Sequence, residues 1–243
     1  MKIAISGYGK MGKAIEEIAI QRGHEISARI TSDREGGDEL TNLNNKSTDL
    51  VIDFSTPKTV MQNVRMCFEK NIPVVVGTTG WYEHIAELER EVKEHNYAFL
   101  YASNFSIGVN LFFELNKFLA KTMEPYSNYT AELDETHHIQ KLDAPSGTAI
   151  TLADDLITSN TRYKNWQTDE VEQSNELLVR SHRENEVPGT HVIKYESDID
   201  IIEIKHEAKS RKGFAFGAIL AAEWLRGKSG FFTISDVLNV NLR

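Results

Sequence analysis

Two short stretches hold residue types that can do chemistry. In GYGKMG, Gly7, Gly9 and Gly12 stand in G-x-G-x-x-G spacing, with Tyr8, Lys10 and Met11 between them. That spacing suits a dinucleotide. The first glycine makes a tight turn, the second lets backbone approach a pyrophosphate, and the third lets helix and strand pack closely, with the phosphates at a helix N-terminus. A glycine-rich turn with no ligand has the same spacing. Context favours the nucleotide, because the motif directly follows an apolar strand, opens a helix and precedes a second strand.

The second stretch runs from Glu135 to Ala149 and puts His137, His138 and Lys141 within five residues. Pro145 then stops regular structure, and Ser146 with Gly147 and Thr148 offers a helix start whose amides can receive an anion. Two imidazoles, an ammonium and a helix N-terminus make a carboxylate trap that can also deliver protons. A surface turn is the plain alternative. A metal is not expected, since adjacent histidines diverge and no Cys or carboxylate set completes the usual geometry.

These groups must be held by elements. Residues 3–6, 25–30, 50–54, 73–76 and 98–101 read as strands, alternating with helical patterns at 11–22, 59–70 and 83–95, which is the rhythm of a doubly wound parallel sheet. The loops Asp53 to Pro57, Gly77-Thr78-Thr79 and Ala102-Ser103-Asn104-Phe105 follow strands, where open α/β sheets bind ligands. An acid usually closes the second strand to hold the ribose. Here Thr31 and Ser32 stand there, followed by Asp33 and Arg34, so NADH and NADPH both remain open.

From about Ser127 the pattern changes to period two, with Tyr129, Ala131 and Leu133 alternating with polar residues. Further alternation at 176–182, 191–196 and 198–206 predicts an α+β region with an open, mostly antiparallel sheet, interrupted by a helix near 148–157. The turn between two of its strands is Val187-Pro188-Gly189. A last helix at 216–225, rich in small residues, and an apolar run at 231–234 are expected to return to the first domain.

Bulk properties narrow the partners. The chain has 243 residues and a formal net charge of −9, from 36 Asp and Glu against 27 Lys and Arg, which argues against nucleic acid or an anionic membrane surface. Its one cysteine, Cys67, fits a reducing cytoplasm, and no apolar run approaches a membrane span.

With these motifs in view, the chain resembles the dihydrodipicolinate (4-hydroxy-tetrahydrodipicolinate) reductases of diaminopimelate and lysine biosynthesis. GYGKMG, DFSTP, VVGTTGW, ASNFSIGVN, ETHHIQKLDAPSGTA, VPGTH and FAFGAILAAEWL occur in that family's order, and the long histidine-lysine string is specific to it. The resemblance implies a Rossmann-type dinucleotide-binding domain of residues 1–106 and 212–243. Residues 107–211 would form a domain for substrate binding and homotetramer assembly. It implies that NADH or NADPH reduces a small cyclic dicarboxylate with loss of water. By position, His137 matches a proton donor or acceptor, Lys141 the proton donor, His138 a substrate contact, and Gly147 with Thr148 a carboxylate-holding backbone pair. Gly7 to Gly12, Gly77 to Thr79 and Ala102 to Phe105 match cofactor contacts. Two departures are Thr31 and Ser32, where many members carry an acid, and Glu184-Asn185-Glu186 ahead of VPGTH.

Overall fold

The structure, a computed structural model, describes residues 1–31, 39–171 and 173–239, and its chain contacts divide into two units. The first comprises Met1–Ile107 with Arg211–Asn239. Its strands are β1 (Lys2–Ser6), β2 (Glu25–Ile30), β3 (Leu50–Asp53), β4 (Val74–Val76), β5 (Ala98–Tyr101) and β11 (Gly230–Thr233). Among the described residues they form one sheet in the order β11-β5-β4-β3-β1-β2, and every pairing is parallel.

Side-chain alternation along these strands explains why both faces are covered. Ile3, Ile5, Leu50, Ile52, Val75 and Leu100 point to one face, against helices α1 (Lys10–Gln21) and α6 (Lys212–Leu225). Ala4, Val51, Val74, Val76 and Phe99 point to the other, against α2 (Val60–Glu69) and α3 (Ile85–His95). Helix α6 approaches closely because Ala215, Gly217, Ala218, Ala221 and Ala222 are small. A Cβ at Gly217 would fall 1.7 Å from the Phe105 carbonyl oxygen.

The second unit covers Gly108–Ser210 among the described residues. Helix α4 (Ile107–Met123) leads into it. Strands β6 (Thr130–His137), β7 (Asn165–Gln167), β8 (Glu176–Arg183), β9 (Thr190–Glu196) and β10 (Ile201–Glu207) form a sheet in the order β10-β9-β6-β8-β7. Strand β9 is antiparallel to both β6 and β10, whereas β6 with β8 and β8 with β7 are parallel. The sheet is therefore mixed, more parallel than the alternation alone suggests. The cause is helix α5 (Gly147–Ser159), a crossover of the kind that parallel neighbours need. Phe112, Leu133, Leu152, Leu156, Val179, Ile193 and Tyr195 fill its core.

No helix among the described residues is long and apolar enough to cross a membrane. Cys67 is buried in α2, and burial pushes its thiol pKa well up, leaving it a packing residue.

Candidate active site

In the first unit, parallel pairing sends the loops after β1, β3, β4 and β5 out of the same edge of the sheet. The order reverses between β1 and β3, the switch point where such sheets open a crevice. The three glycines of the fingerprint play different parts there. Gly7 has φ +84°, and a Cβ on it would stand 2.1 Å from the Phe54 carbonyl oxygen. At Gly12 a Cβ would press on the Gly7 oxygen at 2.7 Å, while at Gly9 it would meet nothing within 4 Å among the described residues. Gly7 and Gly12 thus shape the turn, and Gly9 leaves open space beside it. Helix α1 begins at Lys10 with no side-chain cap and no acid in its first turn. An anion fits such a start, and the loop fits a dinucleotide pyrophosphate.

A buried polar hub beneath the crevice fixes the neighbouring loops. The Asp53 carboxylate, fully buried, accepts from the Thr78 hydroxyl at 2.6 Å, the Ser55 hydroxyl at 2.8 Å and Asn63 Nδ2 at 2.8 Å. Asn63 also donates to the Ser6 hydroxyl. The Thr78 side chain is thereby committed to Asp53, so what this loop offers a ligand is backbone and the exposed Thr79. In the last loop Ala102 and Phe105 are buried, Ser103 is exposed, and Asn104 accepts from the Ser106 N–H. Thr31 ends the described stretch after β2, and Ser32, Asp33 and Arg34 lie outside the described residues. Sequence reasoning assigned Asn63 no part. A lone asparagine on an apolar helix face was its only signal.

The second unit gathers the histidine-lysine segment at the carboxyl end of β6. The inward face of that strand carries Ala131, Leu133, Glu135 and His137 in turn, so the alternation that buries the core also buries a carboxylate and an imidazole. Register supplies their partners. Glu135 sits opposite His191 on β9 and opposite Ser181 on β8. Its Oε1 accepts from the Ser181 hydroxyl at 2.8 Å and the Ser146 N–H at 2.9 Å, with Arg183 at 3.6 Å. Its Oε2 lies 3.3 Å from His137 Nε2 and 3.6 Å from His191 Nε2. Burial by itself would raise the Glu135 pKa. The two imidazoles and Ser146 outweigh it and hold the carboxyl well below its ordinary range.

Around this cluster the remaining candidates take up positions. Lys141 pairs with Asp143 at 2.8 Å. Arg183 straps the same loop, donating to the carbonyls of Asp143 at 2.5 Å and Lys141 at 3.3 Å. His138 is half-buried, and its buried Nδ1 has no hydrogen-bond partner among the described residues, an atom suited to a ligand. Ser146 caps α5, its hydroxyl accepting from the Ala149 N–H at 3.2 Å, and the first turn behind it has an exposed Gly147 and no acid. Gly189 of VPGTH, at φ +156°, lies against the His137 ring, where a Cβ would come within 2.7 Å of Cε1. Glu135, Arg183 and His191 carried no role in the sequence reading, although extending the period-two pattern two steps past Leu133 reaches Glu135 and His137.

The absence of a completing carboxylate, one ground for expecting no metal, does not hold in the fold. His137 and His138 do diverge, but the sheet brings Glu135 and His191 to His137, and their ligating atoms lie within 4.8 Å of one another.

A glycine-marked parallel sheet in this strand order is a dinucleotide-binding fold, and the mixed sheet of the second unit holds a buried carboxylate among imidazoles. Residues 1–105 match the family described as dihydrodipicolinate reductase, N-terminus, and residues 108–238 the one described as dihydrodipicolinate reductase, C-terminus. The chain belongs to the dihydrodipicolinate reductase family, oxidoreductases of diaminopimelate and lysine biosynthesis for which NAD(P)H dependence is general. It is 50% identical over 239 residues to a 4-hydroxy-tetrahydrodipicolinate reductase of Christiangramia forsetii, covering 98% of each chain. A Rickettsia rickettsii relative of the same name is 34% identical over 249 residues, with 99% of this chain and 100% of the other covered. Among solved structures, dipicolinate-bound dihydrodipicolinate reductase from Paenisporosarcina sp. TG-14 shares the fold at TM-score 0.78 and 23% identity, covering 97% of this chain and 98% of that one.

Proposed function

We propose that this chain converts 4-hydroxy-tetrahydrodipicolinate to tetrahydrodipicolinate with loss of water, using NADH or NADPH, and that residues 107–211 form the substrate-binding domain. The observation that carries the reading is the Glu135 carboxylate at the end of β6, which lies 3.3 Å from His137 Nε2 and accepts from the Ser146 N–H at the capped start of α5. When bound, the reduced nicotinamide would supply a hydride to C4 of the substrate ring, whose 4-hydroxyl leaves, with a proton, as water before or as the hydride arrives. The chain's own residues do the rest. Gly147 and Thr148 offer backbone N–H groups to a carboxylate, with His138 as a further contact. Lys141, freed from Asp143, gives a proton to the carbon framework as electron density builds there, and His137 gives or takes a proton beside it. The ammonium and the helix terminus also orient the dianion.

For the nucleotide, we assign Gly7, Tyr8, Gly9, Lys10, Met11 and Gly12 to the pyrophosphate, Thr31 and Ser32 to the adenine ribose, and Gly77 to Thr79 with Ala102 to Phe105 to the nicotinamide half. A homotetramer is part of the same reading. It is supported by strand β10 at the sheet edge, where Ile201 and Ile202 are exposed. A cytoplasmic location accords with a single buried thiol. Initial rates with NADH and NADPH, side by side on enzymatically generated 4-hydroxy-tetrahydrodipicolinate, test the proposal. Oxidation of either nucleotide supports it, and oxidation of neither refutes it.

A further inference from the structure

Glu135 is 0% exposed, and a carboxylate in that position is costly unless its oxygens are matched. Oε1 is matched by two short hydrogen bonds. Oε2 is not, since among the described residues it makes no well-directed hydrogen bond and faces the Nε2 atoms of His137 and His191, which stand 3.4 Å apart. The three atoms form a triangle with edges of 3.3, 3.4 and 3.6 Å.

Two occupants suit such a triangle, a proton or a metal ion. A ligating imidazole normally donates its other N–H to a carbonyl or carboxylate, which fixes the ring for the ion. His191 Nδ1 is buried with no partner among the described residues, which leaves that support unprovided by them. The same nitrogen set and a shared proton need no such arrangement. The Ser146 hydroxyl, 3.4 Å from His191 Nε2, adds one more group that can give or take that proton.

We propose that Glu135 is the positioning residue of the reduction, acting through His137 by holding its Nε2–H toward Oε2 while Oε1 anchors the start of α5. His191 is the second imidazole on the shared proton. One carboxylate thus ties the acid–base ring to the backbone that binds the substrate carboxylate, and the two keep their spacing. The charged and titratable groups facing Glu135 are His137 on its own strand, His191 from β9 and Arg183 from β8. Lys141 and Asp143 on the adjoining loop and His206 on β10 act on this set at longer range.

This inference rests on the proposed function. Glu135→Gln keeps the side chain's size and an oxygen for the Ser146 N–H, but puts a neutral amide opposite the imidazoles. The expected result is a kcat lower by about a hundredfold, the scale of a misplaced acid–base group. The dicarboxylate KM should stay within about threefold and nucleotide affinity should be unchanged. Glu135→Asp, which keeps the charge, should recover part of the lost kcat, and His191→Gln should lower kcat at unchanged nucleotide affinity. A wild-type kcat in Glu135→Gln overturns the proposal. So does a loss in Glu135→Gln and His191→Gln that merely tracks unfolded protein in thermal melts. Calorimetric titration of the wild type with zinc chloride is the second arm. Absence of stoichiometric binding supports the proton, whereas stoichiometric binding that Glu135→Gln abolishes overturns it in favour of a metal site. If the wild type itself fails to reduce the dicarboxylate, the proposed function fails first.

Discussion

Glu135 and His191 face each other across β6 and β9, a buried carboxylate opposite a buried imidazole. Both make the fold sensitive to acid. Burial lowers the His191 pKa below its usual 6.5, against the pull of Glu135, so the unfolded chain binds more protons there, and stability falls as pH drops below about 6.5. The Glu135 pKa is also depressed, and its contribution, complete above an unfolded value near 4.5, is lost as pH falls through the lower range. Asp155 works the other way, because burial raises it from 3.8 to about 6, and its contribution is lost as pH rises through that window. Urea midpoints of wild type and His191→Gln across this range separate the terms. The variant should lose less stability than the wild type between pH 6.5 and 4.5.

The fingerprint glycines should respond unequally to alanine. Gly7→Ala meets the Phe54 carbonyl at positive φ and should lower the melting temperature markedly. A Cβ at Gly9 meets no described residue, so Gly9→Ala should melt like wild type and lose nucleotide affinity by about tenfold or more. Calorimetry with NADH and NADPH, beside thermal melts, checks both.

Lys141→Ala should lower the rate by about a hundredfold with nucleotide affinity unchanged, as removal of a general acid does. Arg183→Ala frees the Lys141–Asp143 loop from its carbonyl contacts and should raise KM for the dicarboxylate more than it lowers kcat. Steady-state kinetics on both variants distinguish the two roles.

Ser146→Ala removes the hydroxyl that caps α5 but leaves the N–H that reaches Glu135. The expected cost is about 1 kcal/mol of stability, read from urea unfolding, together with weaker dicarboxylate binding.

The candidate residues were legible in the sequence because the patterns that mark them are local. Glycine spacing after an apolar strand and a serine ahead of a helical run declare themselves within a dozen residues. The parallel sheet was legible for the same reason. What depended on register was not. Glu135 gains His191 and Ser181 only when β6 lies between β9 and β8, residues some fifty positions away that no periodicity links. The parallel pairing of β6 with β8 was hidden too, since alternation marks a strand's wet face and not its direction. Helix α4 went unread even though Val109, Phe112, Asn116, Ala120 and Met123 recur at helical spacing along its buried side. The Asp53–Asn63 hub shows a further limit, in that a polar core contact looks from sequence like an exception to an apolar face.

The most direct measurement follows an isotope. With nicotinamide deuterated at the transferable position, wild-type enzyme and 4-hydroxy-tetrahydrodipicolinate, the account requires tetrahydrodipicolinate carrying deuterium at C4, formed in step with nucleotide oxidation. Product without the label, or nucleotide oxidised without that product, would contradict it.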